Sequence, residues 1–126
     1  MAAGKYAFTI EQGSTFQLEL QYKDSANAPI DLTNYHGRMQ IREAVGSATA
    51  IINLSSSRDA DGTGLNFSGS NGTTPLASGS IGIYISAASS SGFTFNEAVY
   101  DLEIVSGSYV TRLLEGRVKL SREVTR

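Results

Sequence analysis

The stretch Ala98–Arg126, AVYDLEIVSGSYVTRLLEGRVKLSREVTR, decides the fold. Its first half places Tyr100, Leu102 and Ile104 on one parity, with Asp101 and Glu103 on the other. That is the period of a half-buried strand. Ser106-Gly107-Ser108 then turns the chain, with Gly107 free to take positive φ. On the return, Val110, Leu114, Val118 and Leu120 share one parity, and Arg112 and Gly116 interrupt it. A glycine in mid-strand marks a bulge or a close backbone approach. The stretch therefore reads as a long hairpin able to hold a β-sandwich together.

Working outward, the same alternation recurs along the chain. Tyr6, Phe8 and Ile10 alternate up to Gly13-Ser14, and Phe16, Leu18, Leu20 and Tyr22 follow against Gln17, Glu19, Gln21 and Lys23. Residues 24–29 (DSANAP) are turn chemistry, and Asp31 or Thr33 is placed to bond the local backbone. Further strands are predicted at 38–43, with Met39 and Ile41 inward, and at 50–54, 65–67 and 81–85. Residues 55–64 and 69–79 are long Gly/Ser/Thr loops, and 87–91 suits one helical turn. The expectation is all-β: an immunoglobulin-like antiparallel β-sandwich of about eight strands, one domain over 1–126, with short arms at 1–5 and 121–126.

Composition narrows the function classes. The 126 residues hold no cysteine, which excludes disulfides and thiolate zinc sites. Ten basic and twelve acidic residues give a net charge of −2, so no basic field attracts nucleic acid. No run of eighteen apolar residues and no signal-peptide core occurs, so neither a membrane partner nor signal-peptide secretion is expected. Charged residues make up only 17%, which fits life inside an assembly and equally a small polar β protein.

Residues that suggest chemistry are few. His36 is the only histidine, and no second member of a metal site or triad accompanies it, so it reads as a loop or edge residue. Asp59-Ala60-Asp61-Gly62 opens like a calcium loop, but the closing glutamate is missing, and Asp-Gly is a turn signal. Asn53, Asn66 and Asn71 head Asn-x-Ser/Thr triplets, read here as chance in a Ser/Thr-rich chain. Asp101 and Glu103 share a strand face rather than flanking a cleft, as glycosidase carboxylates would. No enzymatic activity and no cofactor are expected.

Two resemblances follow from particular residues. Asn96-Glu97-Ala98-Val99-Tyr100-Asp101-Leu102 resembles the Asp-x-Ala-x-Tyr-x-Cys run that opens strand F of immunoglobulin domains. That likeness implies that Tyr100 is a tyrosine corner, its hydroxyl bonded to backbone just upstream, and that Leu102 fills the place of the cysteine. The second likeness joins Phe8–Phe16 (FTIEQGSTF), Pro29–Tyr35 (PIDLTNY) with Arg38–Arg42 (RMQIR), and Val99–Ile104 (VYDLEI) with Leu114–Val118 (LEGRV). In that order they resemble small virion proteins of tailed bacteriophages, and are similar to the immunoglobulin-like N-terminal domain of phage baseplate upper proteins. The resemblance implies a non-enzymatic virion protein, in baseplate or tail, that docks other virion proteins in multiple copies. A capsid decoration protein and a carbohydrate-binding module are the alternatives. Expected contacts are Ala2, Ala3, Gly4 and Lys5 of the arm, Arg58, Asp59, Asp61 and Asn71 of the loops, and Phe93 and Phe95 if exposed. Burial of both phenylalanines is the competing expectation. Deleting 1–5 is expected to leave the fold intact.

Overall fold

The computed structural model describes residues 4–23, 26–69 and 75–124. They form nine strands in two sheets: β1 (Gly4–Lys5), β2 (Phe8–Glu11), β3 (Phe16–Gln21), β4 (His36–Arg42), β5 (Ile52–Ser55), β6 (Gly64–Asn66), β7 (Ser80–Ile85), β8 (Glu97–Ser106) and β9 (Tyr109–Ser121). One sheet runs β1-β9-β8-β4-β5, with β2 also on β9, and the other runs β3-β7-β6. In immunoglobulin lettering these orders are G-F-C-C′ and B-E-D. One short helix, α1 (Ala87–Ser91), lies between β7 and β8 and is capped by Ser86, whose side chain accepts from the Ser89 amide.

Alternation builds the core. In β8 the residues Ala98, Tyr100, Leu102 and Ile104 are buried and their neighbours are not. The first three meet Met39, Ile41 and Leu54 from the same sheet and Leu65, Ile83 and Ile85 from the other. A smaller cluster, Leu32, Phe67, Ile81 and Ile104, fills the end toward the β8–β9 turn. Each such side chain contributes about 1.5–3 kcal/mol by leaving water, so burial dominates the stabilisation.

The structure corrects the sequence reading in five places. First, β9 carries a bulge: Leu102 pairs with Leu114 but Glu103 pairs with Arg112, leaving Leu113 extra. The bulge reverses parity, so Val110, expected inward, is exposed, while Leu113 packs on the smaller cluster. Gly116 is the close approach rather than the bulge. Second, the sandwich is not wholly antiparallel, since β1 and β2 both run parallel to β9. Third, Gly4 and Lys5 are paired in the sheet, which makes the strand count nine and means that deleting 1–5 strips pairing from β9. Fourth, the expected C-terminal arm begins inside β9 at Ser121 and is tied down at Glu123, whose amide donates to Gln12 Oε1 at 3.1 Å. Fifth, Tyr100 is a buried residue whose hydroxyl donates to a backbone carbonyl, but to that of Tyr6, at 2.7 Å, rather than to backbone just upstream.

That last bond explains how the N-terminal strand docks. Strands β1 and β2 keep one register on β9 (Lys5 with Glu115, Phe8 with Val118), and the ladder breaks between them. At the break the Tyr6 amide still donates to the Glu115 carbonyl, at 3.1 Å. The Tyr6 carbonyl instead takes the Tyr100 hydroxyl. It lies so close to Gly116 that a β-carbon there would overlap its oxygen. The Phe8 ring then stacks on Phe16 and leans on Tyr100, each at 4.9 Å between centroids.

Two outcomes follow. Tyr100→Phe should cost about 1–3 kcal/mol in urea denaturation, because it removes a buried hydrogen bond and strands the Tyr6 carbonyl. Gly116→Ala should cost about the same through overpacking against Tyr6. Burial, followed by the neighbouring Tyr6, pushes the Tyr100 phenol up to about 12. The folded chain therefore holds this proton where the unfolded chain has released it, and stability falls as pH rises from about 10 toward 12. Denaturation across pH 8–12 should show that loss in the wild type and a smaller one in Tyr100→Phe.

Candidate functional site

One end of the sandwich brings three tyrosines together. The β8–β9 turn presents Tyr109 and Val110, 71% and 47% exposed. Gly107 takes φ 60 to make that turn. The β3–β4 connection brings Tyr22 and Tyr35 to the same end, both half-buried on the cluster of Leu32, Phe67, Ile81 and Ile104. The chain before β7 adds the exposed Leu76, fixed by a 3.0 Å bond from the Leu32 amide to its carbonyl. Burial, then the nearby Tyr35 and Tyr109 hydroxyls, push the Tyr22 phenol up. Three phenols thus share one small surface whose backbone is held from beneath. Asp31 keeps the β3–β4 connection in shape by accepting from the Thr33 hydroxyl and amide, at 2.6 and 2.9 Å. Those bonds hold its carboxyl below the usual range.

The opposite end is a polar clasp. Buried Gln12 donates to the Phe93 carbonyl at 2.8 Å. The buried Ser90 hydroxyl donates to the Ser14 carbonyl and accepts from the Gly13 amide, at 2.9 and 3.1 Å. Asp61 accepts from the Ser86 hydroxyl at 2.6 Å and from the Thr63 amide at 2.9 Å, and these bonds hold its carboxyl low. This end stitches the strand connections together.

The outer face of the larger sheet is ruled by charge. Successive cross-strand rows read Arg112–Glu103–Arg38, then Glu115–Asp101–Gln40–Asn53, then Arg117–Val99–Arg42. Arg38 and Glu103 meet at 2.7 Å, whereas Arg112 reaches Asp101, Glu115 and Glu103 only at 3.5–4.0 Å. Burial and the adjacent Glu103 and Glu115 raise the Asp101 carboxyl against the pull of Arg112. Exposed pairs of this kind contribute about 0–1 kcal/mol each, so the rows act on register and recognition more than on stability.

The residues expected as contacts do not form one site. Lys5 lies beside Glu115 at the sheet edge, and Gly4 sits next to it in β1. Arg58 lines a shallow groove over Gly82 with Gln17, Asn66 and Tyr84 on the smaller sheet. Asp59 and Asp61 form the expected turn, with the Gly62 amide donating to the Asp59 carbonyl at 2.9 Å. Phe93 and Phe95 are core, 6% and 5% exposed, their rings 5.6 Å apart, so the condition for a contact role fails. Ala2, Ala3 and Asn71 lie outside the described residues. His36 opens β4 on its exposed side, opposite Val105. Among the described residues no group of His, Asp and Glu is placed to hold a metal, and no helix is long and apolar enough to cross a membrane.

The tyrosine end escaped sequence reasoning, although a signal was present. Tyr35 directly follows Asn34, with φ 68, and Tyr109 comes two residues after Gly107, with φ 60, so each adjoins a turn. Bringing them together needs the sheet order, which alternation does not give. The chain matches no protein-family model and no curated protein.

Because Tyr109 and Val110 point into water, Tyr109→Ala and Val110→Ser should each shift stability by only about 0.5 kcal/mol. Leu102→Ala, in the core, should cost about 2–5 kcal/mol. Urea denaturation of the three variants tests whether this end is free of a structural task.

Proposed function

We propose that this chain is a non-enzymatic structural adaptor of a tailed-bacteriophage virion, seated in the baseplate or tail and docking neighbouring virion proteins in multiple copies. The carrying observation is the tyrosine end, where Tyr22, Tyr35 and Tyr109 stand with Val110 and Leu76 on a braced loop surface. Tyrosine provides a large, stiff contact with an apolar body and a polar tip, and so loses little entropy on docking. Loops at one end of a sandwich are the position from which immunoglobulin variable domains bind. The virion setting rests on the resemblance of residues 8–16, 29–35, 38–42, 99–104 and 114–118 to phage baseplate proteins. In a symmetric particle each contact can be weak, because copy number makes the joint attachment strong.

Immunogold microscopy of particles encoding this chain tests the setting. Label at the tail tip is the expected result, label over the head would replace the tail with capsid decoration, and particles free of the protein would refute the virion role. The docking end has its own test. A Tyr35→Ala, Tyr109→Ala double variant should fold normally yet enter particles at about one-tenth of the wild-type level, as loss of interface anchors is multiplied over copies. Quantitative mass spectrometry of purified particles reads that ratio, and undiminished incorporation would move docking elsewhere on the sandwich. Binding to a glycan array, abolished by the same substitutions, would favour a carbohydrate-binding module.

A further inference from the structure

The row Arg117–Val99–Arg42 on the outer face of the larger sheet differs from the rows before it. There β8 offers a carboxylate: Glu103 stands between Arg112 and Arg38, and Asp101 stands between Glu115 and Gln40 with Arg112 at 3.5 Å. Here β8 offers Val99, and two guanidinium groups flank an apolar residue. Their strands lie two spacings apart, roughly 10 Å, which leaves room for one carboxylate between the side chains.

The two arginines are available in different ways. Arg42 is held by neutral oxygens: Gln40 Oε1 at 3.2 and 2.9 Å and the Ser47 carbonyl at 2.7 Å. Those bonds fix the guanidinium without cancelling its charge. Among the described residues it has no carboxylate partner. Arg117 is largely exposed and reaches Glu97 only at 3.6 Å. The groove between them is floored by Val99 and Gly116, walled by Val45, 88% exposed in the β4–β5 loop, and bordered by Asp101 and Glu115, whose carboxylates face Arg112 and Lys5 at 3.5 and 3.8 Å.

We propose that this slot is a docking site for an acidic segment of a partner protein, taking an aspartate or glutamate carboxylate between Arg42 and Arg117 with an adjoining apolar side chain against Val45 and Val99. Charge complementarity selects the occupant. The slot repeats the Arg112–Glu103–Arg38 row with the carboxylate missing, and guanidinium forks match carboxylates in shape and charge. The site is separate from the tyrosine end and stands without it.

Peptide titration of the full chain, followed by amide NMR shifts, tests the proposal. The probes are Ac-Val-Glu-Val-NH2 and its glutamine counterpart Ac-Val-Gln-Val-NH2. The glutamate peptide should shift the amides of Arg42, Val99 and Gly116 and bind at least about five-fold more tightly than the glutamine peptide, weakening as salt rises. Arg42→Gln should erase that preference. Val99→Asp, which supplies the missing carboxylate from within, should abolish binding with the spectrum still that of a folded chain. If Val99→Asp does not fold, Arg42→Gln decides alone. Equal binding of the two peptides, shifts confined to other surfaces, or an undiminished preference in Arg42→Gln would overturn the proposal. So would inorganic phosphate that reproduces the same shifts at the same concentration, since the site would then be one for small anions.

Discussion

The bond from the Tyr100 hydroxyl to the Tyr6 carbonyl is the constraint on which the rest of this sandwich depends. It fixes an N-terminal strand that runs parallel to β9, a pairing no tight turn can supply because its partners are more than a hundred residues apart in sequence. Three conditions meet at that point. The phenol must be buried, Gly116 must have no side chain, and the ladder must break for one carbonyl. Once docked, the strand delivers Ile10 to the core and Gln12 to the clasp that joins the Phe93 carbonyl to the C-terminal residues. A single hydroxyl thus ties the N-terminal strands to the β8–β9 hairpin.

The division of labour between the two ends follows from what holds each one. At the α1 end, buried Gln12 and Ser90 spend their hydrogen bonds on backbone, so the connections there are fixed to one another. At the other end Tyr22 and Tyr35 pack half-buried on Leu32, Phe67 and Ile81, and Tyr109 stands in water beside them. A rigid base under amphipathic side chains is what a docking surface requires, since contact then orders little that was free before. The charged sheet face is different again. Its ion pairs are mostly long and exposed, and they matter through the pattern they set.

Local alternation carried most of the fold in the sequence. Tyr100, Leu102 and Ile104, like Met39 and Ile41, are buried as their spacing predicts, and α1 forms where Ala87–Ser91 suggested a turn. What alternation cannot encode is a change of phase. Leu113 is one residue too many for the ladder, and it turns Val110 from core to surface without any mark at Val110 itself. Long-range polar bonds are equally hidden. Nothing near Tyr100 in sequence announces Tyr6, and the immunoglobulin likeness placed the right hydroxyl on the wrong carbonyl. The segments that carry the expected phage resemblance turn out to hold residues the sandwich itself uses: Ile10 and Leu32 in the core, Gln12 in the clasp, Asp31 in its turn. Their likeness therefore bears on fold more directly than on function. The proposed docking role rests instead on a surface, where Tyr22, Tyr35 and Tyr109 meet only after the sheets are assembled.

A cryo-electron microscopy reconstruction of the phage particle into which we propose this chain is built, at a resolution that traces side chains, tests the central claim most directly. The account predicts that the end bearing Tyr22, Tyr35 and Tyr109 is buried against a neighbouring protein, repeated around the particle's symmetry. A sandwich seated by other surfaces, with those three tyrosines facing solvent in every copy, would contradict it.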